Sequence, residues 1–375
     1  MYIKELIVKN FRNYSFLELS FSPGINCIVG NNGVGKTNIL EAISVVSNIR
    51  SFRNNHDAEI IKWNEEGYYC SSLVQREGEE QRFEIGCSLR DDTVVRKLKI
   101  DGVEIKSADA YYGKILSVIL SPIDIHIVHG SPDIRRRFID SVISKIDARY
   151  FKTLSEFRTI LASRNRILKN IKIRASNAKE LDVWDVLFSE KSVEIVAARG
   201  KFVTSFNEIF RDIYARISNE QPPSLSYRAS ISSDDHSAVQ RMLEEHRLRD
   251  IAAGSSGMGP QRDDVVIQGE AGMRFTSYAS QGQKRTAAVA LKVSECLFLE
   301  RNKGERAIVL VDDIFSELDA QRRLRTVDIL QRGNQIIVTM VHCEDDALTQ
   351  SSPSKMFHID APGVVKEIIE SQRLG

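Results

Sequence analysis

The octapeptide Gly30-Asn31-Asn32-Gly33-Val34-Gly35-Lys36-Thr37 spells G-x-x-x-x-G-K-T, and few folds accommodate it. Before it, Ile25-Asn26-Cys27-Ile28-Val29 reads as a short buried strand. After it, from Asn38 to Ser47, the apolar residues Ile39, Leu40, Ile43 and Val46 recur at helical spacing. A strand that ends in a glycine-rich turn and opens a helix is the setting in which this pattern is a phosphate-binding loop. The glycines let backbone N–H groups close around phosphate oxygens at a helix N-terminus, where the dipole favours anions. Gly30, Asn31, Asn32, Gly33, Val34, Gly35, Lys36, Thr37 and Asn38 are therefore the expected nucleotide-binding residues. Lys36 is expected to reach the β- and γ-phosphates, and the Thr37 hydroxyl to sit on Mg²⁺.

The 375 residues allow two or three domains. Tyr2–Val8 and Phe16–Phe21 read as strands, the second because Leu17, Leu19 and Phe21 alternate with Glu18 and Ser20. Asn10-Phe11-Arg12-Asn13-Tyr14 joins them. Arg12 has two readings there, a nucleotide contact or part of an ordinary hairpin loop. After the phosphate-loop helix comes a polar, basic stretch around one aromatic, Asn48 to Asn55. The segments 68–76, 82–89, 95–100 and 103–105 then read as an antiparallel meander, with Asp101-Gly102 as a two-residue hairpin turn. Ile115–Leu120 reads as an apolar strand of a parallel sheet.

From about Pro132 the period becomes helical. Tyr150, Leu154, Phe157, Leu161 and Leu168 share one face. Leu181, Trp184, Phe188, Ile195, Ala198, Phe202, Phe206, Ile209, Ile213 and Ile217 share a second, and Gln221-Pro222-Pro223 ends it. A further helix around Ala238–Ile251 closes at Gly254, which together suggests a compact helical lobe. Lys plus Arg total 52 against 51 Asp plus Glu, so net charge is silent about nucleic acid. Locally, residues 131–180 hold thirteen Lys/Arg against five Asp/Glu. That run, from Arg135-Arg136-Arg137 through Arg158, Arg164, Arg166, Lys169, Lys172 and Arg174, is either a solvated helix face or a surface for a phosphate backbone. Five scattered cysteines without a C-x-x-C look like reduced thiols of a cytosolic protein. The N-terminus is not a signal peptide, and no apolar run approaches the length of a membrane span.

The chain then returns to α/β character. Val265–Gln268 reads as a strand, and a long helix opens at Ser280-Gln281-Gly282-Gln283 and runs to about Glu300. Ile308-Val309-Leu310-Val311-Asp312-Asp313 is an apolar strand ending in two acids, which after a phosphate loop reads as a Walker B strand. Asp312 is expected to hold Mg²⁺, and Asp313 to orient or deprotonate the attacking water. Gln335–Met340 is another buried strand, and the residues beyond it are expected to form a small terminal unit. Ser280, Gly282 and Gln283 match the signature motif of ABC-type ATPases, in which a serine and a helix N-terminus clamp the γ-phosphate of ATP held by the opposite subunit. Ser316-Glu317-Leu318-Asp319 matches the D-loop of that class.

The set as a whole resembles the bacterial RecF family of recombination mediators. It comprises Asn10-Phe11-Arg12, the phosphate loop, Ser51-Phe52-Arg53, Ser121-Pro122-Ile123-Asp124, Gly130-Ser131-Pro132 with Arg135-Arg136-Arg137-Phe138-Ile139-Asp140, Gly259-Pro260-x-Arg262-Asp263-Asp264, Ser280-x-Gly282-Gln283 and Asp312 through Asp319. The resemblance implies an α/β, ABC/SMC-like ATPase head, a mixed sheet plus an antiparallel β meander, with an inserted α-helical lobe. The head is expected at 1–125 and 254–375, and the lobe at 126–253. The resemblance further implies ATP and Mg²⁺ as cofactors, an ATP-dependent homodimer on duplex DNA and gapped junctions, and slow hydrolysis. It also implies partnership with RecR and RecO in placing RecA on single-stranded gaps, in the cytoplasm at the nucleoid. It favours Arg12 as a nucleotide contact.

Arg50 and Arg53, then Arg135, Arg136 and Arg137, are the expected DNA contacts, with Arg136 and its neighbours alternatively tying the lobes together. The chain departs from the family pattern in three places. Gln261 stands where His is usual, the signature has Ala279 and Gln281 for Leu and Gly, and His342 lies one residue beyond the spacing of a switch histidine. A transporter ATPase would place its signature nearer the phosphate loop, and an SMC head would need longer heptad runs than 131–250 provide.

Overall fold

The alternation at the N-terminus becomes a hairpin of β1 (Tyr2–Phe11) and β2 (Tyr14–Ser20), in which Leu17 and Leu19 face inward. β3 (Ile25–Gly30) enters the phosphate loop and α1 (Lys36–Asn48) leaves it. β4 (Gly67–Arg76), β5 (Glu79–Arg90), β6 (Thr93–Ile100) and β7 (Val103–Ile105) are the expected meander, and they extend the first hairpin into one antiparallel sheet of order β2-β1-β4-β5-β6-β7. Asp101 and Gly102 turn β6 into β7 with φ of 51° and 78°, the left-handed pair that a tight two-residue hairpin demands. After a short turn of helix, α2 (Ala108–Tyr111), β8 (Ser117–Leu120) is buried throughout. The computed structural model describes residues 1–53, 57–90, 93–231, 233–341, 355–361 and 364–368.

The next stretch is largely helical, in α3 (Ile125–His129), α4 (Pro132–Ile146), α5 (Ala148–Lys172), α6 (Leu181–Ser218) and α7 (His236–Ala253). Of the expected inward residues, Tyr150, Leu154, Phe157 and Leu168 on α5 and Leu181, Phe188, Ile195, Phe202, Phe206, Ile213 and Ile217 on α6 are buried, while Leu161, Trp184, Ala198 and Ile209 are only partly so. The stretch is not helical alone. β9 (Ser224–Arg228) pairs antiparallel with β10 (Asp264–Gln268), and α8 (Phe275–Tyr278) follows. The second compact unit accordingly comprises His126–Asp212 and Gln221–Ser280. Residues 254–280, assigned to the head from sequence, stay in this unit because β10 finds its partner there.

The first unit comprises Met1–Ile125, Ile213–Glu220 and Gln281–Gly375. Its later elements are α9 (Gln281–Lys303), β11 (Ile308–Asp312), α10 (Ala320–Leu330), β12 (Ile336–Met340), β13 (Lys355–Ala361) and β14 (Val364–Ile368). They form a second sheet of order β14-β13-β3-β12-β11-β8. The expected small terminal unit is corrected here. β13 lies parallel to β3, with Phe357 and Ile359 1% exposed, and so extends the main sheet. Ile308 to Val311 are fully buried, as strands covered on both faces of a parallel sheet must be. α1 touches strands of both sheets, and so buries Glu41, Ser44 and Ser47 as well as its apolar stripe.

Candidate nucleotide site

The phosphate loop has a backbone suited to glycine. Gly33 and Gly35 take φ of +84° and +111°, and a Cβ at Gly35 would lie 2.4 Å from Asn13 Nδ2. Asn31, Asn32 and Gly33 face solvent while Val34 packs inward. Gly35 is the N-cap of α1, with no side-chain capping bond and no acid in the first turn, so this helix end keeps its positive character for an anion. Lys36 curls over the loop, its Nζ donating to the carbonyls of Gly30 at 2.6 Å and Asn31 at 2.9 Å. Burial pulls its ammonium below the usual lysine range, and the carboxylates of Asp313 and Asp312 act against that.

β3, β12 and β11 are parallel neighbours, so the loop after β3 and the acids after β11 meet at one edge of the sheet. There Thr37 Oγ1 donates to Asp312 Oδ1 at 2.7 Å, across 275 residues of sequence. Thr339 Oγ1, which the sequence reading missed, donates to the same oxygen at 2.9 Å. A hydroxyl and a carboxylate in contact are hard oxygen donors that suit Mg²⁺, with water completing its shell. Asp313 is exposed and left-handed, at φ 48°, a conformation few non-glycine residues adopt.

Around the loop is a brace that the sequence reading did not foresee. Glu41 on α1 is fully buried. It accepts Arg12 Nε at 2.9 Å, Arg12 Nη2 at 2.7 Å and Ser51 Oγ at 2.5 Å, with Arg53 Nη1 3.7 Å away. The two motifs Asn10-Phe11-Arg12 and Ser51-Phe52-Arg53 thus converge on one carboxylate. Arg12 also donates to the Glu59 carbonyl at 2.6 Å, and Arg53 to Asn38 Oδ1 at 3.1 Å. Asn13 Nδ2 holds the Val34 carbonyl at 3.0 Å and Tyr14 Oη the Gly35 carbonyl at 3.2 Å. Their only sequence signal was adjacency to Arg12.

Ser280 is exposed immediately before α9, and Gly282 and Gln283 lie in its first turn. Gln283 Nε2 donates to Glu220 Oε2 at 3.0 Å, and Arg322 Nη2 to Glu220 Oε1 at 2.7 Å. Glu220 thereby ties the start of α9 to α10, whose N-cap Asp319 accepts the Arg322 N–H at 2.9 Å. Arg285 pairs with Glu317 at 3.2 Å. Ser121 and Asp124 form a capping box after β8. His342, Asn54 and Asn55 lie outside the described residues.

The expected DNA-contacting arginines divide. Arg50 is exposed, and the Arg53 side chain is 43% exposed. Arg135 and Arg136 bond residues of their own second unit. Arg135 grips both oxygens of Asp264 at 2.8 and 3.0 Å and the Gly130 carbonyl at 2.7 Å, and Arg136 donates to the Asp263 carbonyl at 2.6 Å. Arg137, half-exposed, pairs with Asp133. Arg164 leaves the basic surface altogether. It is fully buried, bonded to Asp185 at 2.7 Å, Asp250 at 2.8 Å and Ser256 at 2.7 Å. Arg158, Arg166, Lys169, Lys172 and Arg174 remain exposed. Gln261 Nε2 donates to the Met258 carbonyl at 2.6 Å, and Asp263 beside it is fully buried, accepting Arg199 Nη1 at 3.1 Å and the Ser230 N–H at 2.8 Å.

The model of the RecF/RecN/SMC N-terminal domain matches residues 2–359. The DNA replication and repair protein RecF of Leptospira interrogans serogroup Icterohaemorrhagiae serovar Lai (strain 56601) is 33% identical over 371 residues, covering 98% of this chain and 100% of that one. RecF of Agathobacter rectalis is 34% identical over 360 residues, covering 96% and 97%. A solved structure of the recombination mediator RecF with ATP matches with a TM-score of 0.90, at 33% identity over 98% of each chain. An Smc head bound to the C-winged helix domain of ScpA shares the fold, with a TM-score of 0.55 at 17% identity over 98% of each chain. The architecture is that of an ABC/SMC-like ATPase head, and the chain belongs to the RecF family.

Proposed function

We propose that this chain is an ATP-gated DNA-binding protein of replication and repair. It binds ATP with Mg²⁺ at Lys36, Thr37 and Asp312, dimerises on DNA, hydrolyses the nucleotide slowly, and opens again. The observation that carries this reading is the Thr37–Asp312 contact beside Lys36, which joins the two halves of the site. The relatives support the rest. They are named DNA replication and repair proteins, and a solved one is described with ATP in the RecFOR pathway. By that kinship RecR and RecO are the partners, RecA loading at single-stranded gaps the outcome, and the cytoplasm at the nucleoid the place. Among the described residues no helix is long and apolar enough to cross a membrane.

In this mechanism the α1 N-terminus and Lys36 receive the phosphates, Lys36 exchanging its two carbonyl partners for phosphate oxygens. Thr37 and Asp312 would hold Mg²⁺, which would supply positive charge to the triphosphate when bound. Asp313 orients a water and takes its proton as the oxygen attacks the γ-phosphorus and the bond to the β-phosphate oxygen breaks, leaving ADP. Ser280 and the start of α9 close on the γ-phosphate of the second subunit.

DNA affinity measured with ATP, with ADP and without nucleotide, at two salt concentrations, tests the reading. ATP alone is expected to raise affinity, with a steep salt dependence that marks phosphate contacts. An affinity indifferent to nucleotide overturns the gate.

A further inference from the structure

Thr339 sits at the end of β12, 2% exposed and in register with Asp312 on β11. β12 lies between the strand that enters the phosphate loop and the strand that ends in the acids. The Thr339 hydroxyl has two neighbours, Asp312 Oδ1 at 2.9 Å and the Val311 carbonyl at 3.4 Å. The second lies beyond the good O–H···O range, so the carboxylate is its working partner. Burial inside a strand, with a β-branched side chain stiff at χ1, fixes where that hydroxyl points.

We propose that Thr339 is a positioning residue for the metal. It holds Oδ1 of Asp312 from the strand side, so that the carboxylate presents itself to the Mg²⁺ shell in one orientation. Oδ1 takes two hydroxyl donors, Thr37 and Thr339. Thr37 must turn its oxygen toward the metal as nucleotide arrives, whereas Thr339 has no such second duty. Its bond is the one that persists through the nucleotide cycle. Partners of this kind, one step behind the metal, typically change metal affinity by ~10–100-fold when removed. The inference rests on the Mg²⁺–ATP reading of the site.

The test uses the full chain and three variants, Thr339→Val, Thr339→Ser and Asp312→Asn. Two quantities are read. One is the Mg²⁺ concentration needed for half of the ATP-induced rise in melting temperature, and the other is Mn²⁺ binding by electron paramagnetic resonance at fixed ATP. Thr339→Val keeps shape and loses the hydroxyl, and is expected to raise the Mg²⁺ requirement ~10–100-fold while ATP affinity in EDTA stays unchanged. Thr339→Ser restores the hydroxyl and is expected to restore the requirement. Should Thr339→Val fold poorly without ligand, Thr339→Ser against wild type carries the comparison, with wild-type metal dependence expected. A Thr339→Val protein with wild-type metal dependence, beside an Asp312→Asn protein that has lost it, overturns this proposal alone. A serine variant as impaired as valine overturns it in favour of packing. A wild type whose ATP stabilisation ignores Mg²⁺ overturns the site reading, and this proposal with it.

Discussion

Arg12 and Glu41 form a two-pronged ion pair, Nε to Oε2 at 2.9 Å and Nη2 to Oε1 at 2.7 Å, with Glu41 fully buried. The pair fastens the β1–β2 turn to the helix that follows the phosphate loop. Arg12 pays for its place there with a left-handed φ of 55°. Glu41→Ala leaves Arg12, Ser51 and Arg53 without their shared acceptor. Breaking a buried pair from one side costs about 3–5 kcal/mol, and the Arg12 side chain, 18% exposed, recovers part of that through water. A clearly lowered melting temperature and weaker ATP binding are expected, with Glu41→Gln milder because it keeps an acceptor. An unaltered melting curve for Glu41→Ala removes the brace from the account.

The chemistry of the site separates binding from turnover. Lys36→Ala is expected to lose ATP binding and the ATP-dependent part of DNA binding, and Lys36→Arg to bind weakly without hydrolysing, since it keeps charge and changes shape. Asp313→Asn is expected to bind ATP and form dimers that persist, because hydrolysis no longer resets them. Light scattering with ATP, paired with phosphate release, measures both. Wild-type turnover in Asp313→Asn assigns the base to another residue.

The arginines give opposite signatures. Arg53→Ala or Arg50→Ala is expected to lower the log–log salt slope of DNA binding by roughly one, with the fold intact. Arg135→Ala abandons Asp264 inside the second unit and is expected to lower thermal stability with an unchanged slope. The reverse pattern in either variant reverses its assignment.

Asp124 supplies a pH dependence. Burial pushes its carboxyl up to about 6 from the ordinary 3.8, with Lys292 and the Ser121 N–H opposing and Glu295 assisting. The folded state therefore binds this proton more tightly than the unfolded chain. Its stabilising contribution is full below the unfolded value and is lost as pH rises through about 6. Asp124→Asn keeps an acceptor for the Ser121 N–H without titrating. Its melting temperature is expected to fall less than that of wild type between pH 4.5 and pH 7. Equal falls in both proteins place the titration elsewhere.

What the sequence made legible was local. The strand, loop and helix around Gly30–Thr37, the apolar run Ile308–Val311 and the opening of α9 at Ser280 each declare themselves within a few residues. Glu41 did not, because its burial depends on α1 being covered by two sheets whose pairing is long-range. A charge count left the role of Arg135 and Arg136 open because it records sign and ignores partners, and theirs lie 129 and 127 residues away. β9 carried a signal in Leu225 and Tyr227 alternating with Ser224 and Ser226, but the strand that completes it begins at Asp264. Thr339 lies only 27 residues from Asp312, but it is the parallel pairing of β12 with β11 that sets it against the carboxylate.

Ser280 is where the proposed clamp is tested. It precedes α9, so a helix N-terminus and the positive end of its dipole begin beside it. The proposed function sets that end against the γ-phosphate of ATP bound by the other subunit, across a two-fold axis. ADP lacks the γ-phosphate and is expected to leave the interface open. Ser280→Arg is expected to leave ATP binding by the monomer nearly intact while abolishing dimerisation and hydrolysis, because the bulky cation fills the space the phosphate needs. Mixing it with Lys36→Ala sharpens the test. Each heterodimer then holds one composite site, with Lys36 from the signature variant and Ser280 from the loop variant, and that site is intact. Partial return of ATP hydrolysis in the mixture, absent from either variant alone, is the signature of a site shared between subunits. Dimerisation of isolated Ser280→Arg with ATP overturns the assignment of the signature.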